Sequence, residues 1–196
     1  QGFVAQKVST SCGVAALTVK NASSTFTCQD CKFYQNILSL LVHSSARVVL
    51  QDSVVMNGGD TNMPCSSVKV TTGSFMSTNA THFLDNRVSS SGGAIHVSED
   101  SNFEARHSLF AGNAAYNSGG AVYVSEGSTF KTNQSTFSRN GAYVNGGAVA
   151  CDHPSAVVVL QSTRFEHNRA RDEGGGACWF VKATVYPIVF AITSSN

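Results

Sequence analysis

A repeat of about 27 residues constrains this chain more than any other feature, because so short a unit cannot bury a face alone and must stack on its neighbours. Two markers carry the repeat. Gly-Gly-Ala followed by an apolar residue occurs at Gly92-Gly93-Ala94-Ile95, Gly119-Gly120-Ala121-Val122 and Gly146-Gly147-Ala148-Val149, with the variant Gly175-Gly176-Ala177-Cys178. Phe-x-x-Asn occurs at Phe33/Asn36, Phe83/Asn86, Phe110/Asn113, Phe137/Asn140 and Phe165/Asn168, with Val54/Asn57 as a weaker copy. The markers keep step, so one unit recurs six times and a seventh begins at Ala177.

Within the unit the pattern alternates with period two. Ala94-Ile95-His96-Val97, Ala121-Val122-Tyr123-Val124 and Ala148-Val149-Ala150-Cys151 are apolar at the second and fourth places, the signature of a half-buried strand. A second strand carries Phe75, Phe103, Phe130 or Val157, and a third leads into Phe-x-x-Asn. No window has a helical period, and the Gly-Gly pairs stand where a turn needs positive φ. The expected fold is all-β: a right-handed parallel β-helix of six to seven coils, its hand set by the crossover preference of parallel strands. One β-solenoid domain is expected over 1–196, with 1–11 as a strand or cap, 12–176 as six coils and 177–196 as a seventh coil or assembly segment. Equivalent residues then form columns about 4.8 Å apart per rung. Phe33, Phe83, Phe110, Phe137 and Phe165 stack inside, and Asn36, Asn57, Asn86, Asn113, Asn140 and Asn168 form a ladder whose amides bond from coil to coil.

Gly-Gly-Ala-(Ile/Val) with Phe-x-x-Asn at this period resembles the repeat of the chlamydial polymorphic outer-membrane proteins. The resemblance spans roughly residues 12 to 180. It implies a surface-displayed β-helix with an adhesive role, and a right hand, but the repeat is a folding device and transfers no active site.

Composition narrows the function classes. Lys and Arg number 13 against 12 Asp and Glu, a net charge of +1, and only 13% of residues are charged. A nucleic-acid binder would show a basic face, so none is expected as a partner. Ser, Thr and Asn supply the polar surface instead, which suits an extracellular or cell-surface protein. The chain opens at Gln1 with no basic-apolar leader, as a processed product or a fragment would. The most apolar stretch, Ala177 to Thr193, is interrupted by Lys182 and Pro187, so no transmembrane segment is expected.

Candidate chemistry is sparse. Glu99, Glu126 and His153 fall at equivalent places and would be the start of a glycosidase-like carboxylate column, but small polar neighbours read as a solvated strand end. Cys28-Gln29-Asp30-Cys31 has redox or half-zinc spacing without the second half, and reads as core or disulfide cysteines. Cys12, Cys65, Cys151 and Cys178 complete the disulfide candidates; Cys151 and Cys178 lie one coil apart on a diagonal. No cofactor or metal motif is found. Sequons at Asn21, Asn79 and Asn133 are candidate glycosylation sites, the latter two in a water-facing column with Gln29, Arg106 and Gln161. Phe3 and Val4 at one end, and Trp179, Phe180, Ile188 and Phe190 at the other, are apolar where an isolated solenoid needs polar caps. The expectation is a secreted structural β-solenoid, glycosylated, whose partners are its own copies stacked head to tail. The alternatives are an adhesin module binding glycans or a cell-surface partner, and a carbohydrate-active enzyme.

Overall fold

A computed structural model describes residues 4–6, 14–62, 64–172, 174–180 and 184–193, the first and last of these by backbone alone. Among them there is no helix, and every strand pair is parallel. The chain winds as a β-solenoid. Its first sheet stacks seven strands: Leu17–Lys20, Leu40–His43, Val68–Val70, Ile95–Val97, Val122–Val124, Val149–Cys151 and Cys178–Phe180. The second and third faces are stacked by strands such as Asn102–Arg106 and Leu109–Ala111, and a short fourth sheet runs from Arg87–Val88 to Arg169–Ala170. Val157–Glu166 runs unbroken through one corner, turning at Ser162 with φ +47°, and joins the second and third faces into a single thirteen-stranded sheet. Thr184–Thr193 lies beside it as a further rung.

The core follows from the alternation. Phe33, Phe83, Phe110, Phe137 and Phe165 are all fully buried on the third face. Phe83 on Phe110, Phe110 on Phe137 and Phe137 on Phe165 stack at 4.8, 4.4 and 4.9 Å between ring centroids. Phe103 and Phe130 stack at 5.4 Å on the second face and meet the first column edge-on. Each such aromatic pair adds about 0.5–1.5 kcal/mol beyond its area burial. Two residues expected at the same place of the second strand as Phe103 and Phe130 are offset from them by one. Met76 and Val158, not Phe75 and Val157, pair with Phe103 and Phe130. Phe75 lies outside under the Arg47 guanidinium, 4.3 Å from its ring centroid; a one-residue slip flips every side chain of a strand to the other face.

Polar ladders hold the corners. Asn86, Asn113 and Asn140 each donate an amide hydrogen to the Oδ1 of the next ladder Asn, 27 or 28 residues on, at 2.9 Å. Each also donates to the carbonyl of Val55, Phe83 or Phe110 on the preceding coil, at 2.9–3.1 Å. The Oδ1 atoms further accept the backbone N–H of the preceding Asn, so the buried amides are fully used. Asn57 is not part of this ladder. Val55 pairs with both Phe33 and Phe83, which puts Gly58 in the ladder position, where its N–H donates to Asn86 Oδ1. Asn57 is one residue early, exposed and at φ +50°, in the corner column shared with Gln35, Asp85 and Gly112. A side chain at Gly58 would collide with Ser67 Oγ at 2.5 Å, which explains why the ladder skips this coil.

A second ladder went unread in the sequence. Ser53, Thr81, Ser108, Ser135 and Thr163 each donate to the carbonyl two residues back. The N–H of the equivalent residue one coil earlier donates to the hydroxyl, as in Ser108 to Ser135 at 3.1 Å. In the Gly-Gly-Ala motif the first glycine supplies the positive φ and the second the close approach: a Cβ on Gly120 would lie 2.1 Å from the Gly147 carbonyl oxygen.

Candidate functional site

With the inward positions committed to packing, chemistry is left to the outward ones. The middle place of the three-residue first-sheet strands forms one column in which Lys69 pairs with His96, His96 with Tyr123, and Tyr123 with Ala150. A depression of about 380 Å³ opens over this column, bordered by Ser66, Ser90 and Ser91 from the flanking loops. His96 meets the Tyr123 ring edge-on, 5.0 Å between centroids. Burial pushes the imidazole pKa down to about 4, and the Lys69 charge pushes the same way against Asp152 and Glu99. It is therefore neutral at physiological pH. The Tyr123 hydroxyl donates to the Asp152 carboxylate, and burial together with that bond raises its pKa. The sequence held no repeating signal for this column: Lys, His and Tyr stand at one place of successive units, but outward residues need not repeat and so do not advertise themselves.

The other candidate residues fall elsewhere. Glu99 and Glu126 stand exposed on the corner between the first and second sheets. Glu99 Oε2 accepts the Thr72 hydroxyl at 2.8 Å, and this bond, first among its influences, holds the carboxyl below its ordinary range. His153 Nδ1 lies 2.8 Å from Ser155 Oγ. Cys28 and Cys31 are disulfide-bonded, and so is Cys65; Cys12 lies outside the described residues. Cys151 and Cys178 do not pair. Both are free thiols, because Cys178 registers with Val149 and Cys151 with Phe180, and burial raises the pKa of each.

Asn79 and Asn133 share their column with Gln29, Gln51, Arg106 and Gln161. Asn79 is exposed and Asn133 half-buried, while Asn21 sits on an exposed turn at φ +82°. Trp179 and Phe180 are half-buried on the seventh strand of the first sheet. Phe3 lies outside the described residues. Val4, Ile188 and Phe190 lie in strands whose side chains are likewise outside them. On the fourth sheet Tyr116 and Tyr143 stack at 5.0 Å, with Arg171 over Tyr143.

Residues 107–125 and 128–152, two successive coils, match the family model of the Chlamydia polymorphic membrane protein repeat. The repeat in this chain is of that type. Neither a curated protein nor a solved structure matches the chain. The matched segments run through Phe110, Asn113, Gly119-Gly120-Ala121 and their counterparts one coil on, the residues that build the ladders. The polymorphic membrane protein repeat is thus a statement about how the coils stack. Among the described residues no helix is long and apolar enough to cross a membrane.

Proposed function

We propose that this chain is a cell-surface structural β-solenoid that joins end to end with copies of itself. The observation that supports it is the strand order of the long sheet. Val4–Gln6 pairs along one edge with Lys32–Tyr34, and Thr184–Thr193 pairs along one edge with Val157–Glu166. Because all rungs are parallel, the first strand of one copy can extend the sheet of another without reversing direction. Such a contact is heterologous and builds an open filament. Glycans on Asn21, Asn79 and Asn133 belong to the same reading, since each stands in a sequon at an outward position of the coil. Electron microscopy of the native protein tests it: ordered rods longer than one copy are expected, and a protein that stays monomeric at high concentration with natural termini overturns it. Peptides covering Asn79 and Asn133 that are unmodified in native eukaryotic material would remove the glycan part. The adhesin reading is favoured by one feature, the outward depression over Lys69 and His96, and predicts a monomer that binds a partner.

A further inference from the structure

The depression over the first sheet holds polar groups that the fold does not use. Lys69 forms no ion pair among the described residues, where the ion pairs involve Arg106, Lys131 and Arg164. The His96 ring touches Tyr123 through its edge, and among the described residues neither ring nitrogen has a hydrogen-bond partner. Ser66 Oγ gives its hydrogen to the Ser91 carbonyl at 2.9 Å and keeps lone pairs to accept with. Ser91 Oγ accepts the Ser118 N–H at 3.4 Å and keeps its hydrogen to donate. A cation, an imidazole and serine hydroxyls therefore converge on a space of about 380 Å³, with the Tyr123 ring as an apolar wall. That is too roomy for a bare anion and lies at the small end of ordinary ligand sites.

We propose that this depression binds one acidic sugar unit, with its carboxylate or sulfate on Lys69 and His96 and its hydroxyls on Ser66, Ser90 and Ser91. The anionic group satisfies the ammonium that the fold leaves unpaired, and charge-assisted bonds of this kind are the strong ones. The hydroxyls exchange hydrogen bonds with serines that can both accept and donate. The assignment is independent of end-to-end association, since the column lies on the side of the rod.

Binding is coupled to protons. The groups facing His96 are Lys69, Asp152, Glu99 and Tyr123; Cys65 is in a disulfide and does not titrate. An anion seated between Lys69 and His96 offsets the lysine charge and favours the imidazolium, so its pKa rises on binding and affinity grows as pH falls from neutral toward 4.

Calorimetric titration of the full chain with glucuronate, glucose sulfate, glucose and inorganic sulfate tests this. Glucuronate and glucose sulfate should bind, with glucose and inorganic sulfate weaker by about tenfold or more. Lys69→Met, which keeps the stem, should cost about tenfold or more, and Lys69→Arg should restore most of it. His96→Gln should abolish the rise in glucose sulfate affinity on acidification while leaving the far-ultraviolet circular dichroism unchanged. Glucose binding as well as its sulfate, inorganic sulfate binding as tightly as glucose sulfate, or indifference to Lys69→Met would each overturn the assignment. Preference between glucuronate and glucose sulfate identifies the acidic group.

Discussion

The coils between His82 and Ala170 and those between Val14 and Ser66 turn the same corners by different means. In the later coils identical residues recur every 27 or 28 positions, the Phe column stacks face to face and the Asn amides bond in an unbroken line. In the earlier coils the spacing drops to 22 between Cys31 and Ser53, Val55 stands in the Phe column and Gly58 in the Asn column. Asn36 there donates to Tyr34 of its own coil. Cys31 occupies a place held by Ser or Thr in the coils beyond and is tied to Cys28 across a residue at φ +57°. A ladder needs the same side chain on each rung, because each amide or ring is the partner of its own copy. Where one rung departs, as at Gly58, only a backbone N–H is left to meet the next amide, and a disulfide and aliphatic packing share the task of holding the earlier coils.

The largest contrast should come from the aromatic column. Phe110 is packed between Phe83 and Phe137 and is fully buried, so Phe110→Ala leaves a cavity with rigid walls and should cost about 3–5 kcal/mol. Val55→Ala in the same column should cost about 2 kcal/mol, since fewer atoms are lost. Chemical denaturation of both variants checks the order; equal losses would mean that the extra atoms of the Phe110 ring add nothing to the packing of the column.

Next comes the amide ladder. Asn113→Ala strips a partner from the Asn86 backbone and side-chain donors, from the Phe83 carbonyl and from Asn140 Oδ1, all of them buried. Each orphaned group costs about 1–3 kcal/mol, so a loss of about 3 kcal/mol or more is expected. Asn57→Gly should stay within about 0.5 kcal/mol, because the residue is exposed and Gly112 already serves the same corner. A large loss at Asn57 would mean that the interrupted ladder runs through it after all.

Acid should separate the two regions by another route. The His96 pKa is depressed to about 4 from 6.5, so the unfolded chain takes up a proton that the folded one refuses. Its contribution is intact above pH 6.5 and is lost as pH falls toward 4, by about 3 kcal/mol. His96→Gln should flatten that slope. Hydrogen exchange at pH 4.5 should show the middle coils opening sooner than at neutral pH; unchanged protection around Ile95–Val97 would refute the burial of a neutral imidazole there.

Legibility in the sequence follows the same division. Phe110, Asn113 and Gly119-Gly120 announce themselves because stacking demands identity at a fixed period. The hydroxyl ladder of Ser108 and Ser135 obeys the same rule yet was hidden, since Ser is common throughout the chain and either Ser or Thr serves. Asn57 and Phe75 were misplaced by one residue each. Asn57 lies in the coil spaced 22 from its predecessor, while Phe75 is an aromatic next to the Met76 that fills the column; in a strand a single step exchanges inside for outside. Lys69, His96 and Tyr123 carried no period because outward side chains partner solvent or ligand and are free to differ. The candidate site is therefore the part least readable from the repeat.

The smallest expected effect is a gain. Ser39 and Ser67 occupy the column that Ala94, Ala121, Ala148 and Ala177 fill in the later coils, as the shared backbone bonds show. Both serines are fully buried, and neither hydroxyl has a protein hydrogen-bond partner. Burying a hydroxyl without a partner costs about 1–3 kcal/mol, whereas alanine brings no polar atom and is already accepted at this place four times. Ser67→Ala should therefore stabilise the protein by about 1 kcal/mol, read as a higher denaturation midpoint with an unchanged slope. Ser39→Ala should behave alike, though the two lie on adjacent coils and need not add. A loss of stability on Ser67→Ala would show that the earlier coils use this hydroxyl, and that their departure from the repeat is a second pattern rather than a gap in the first.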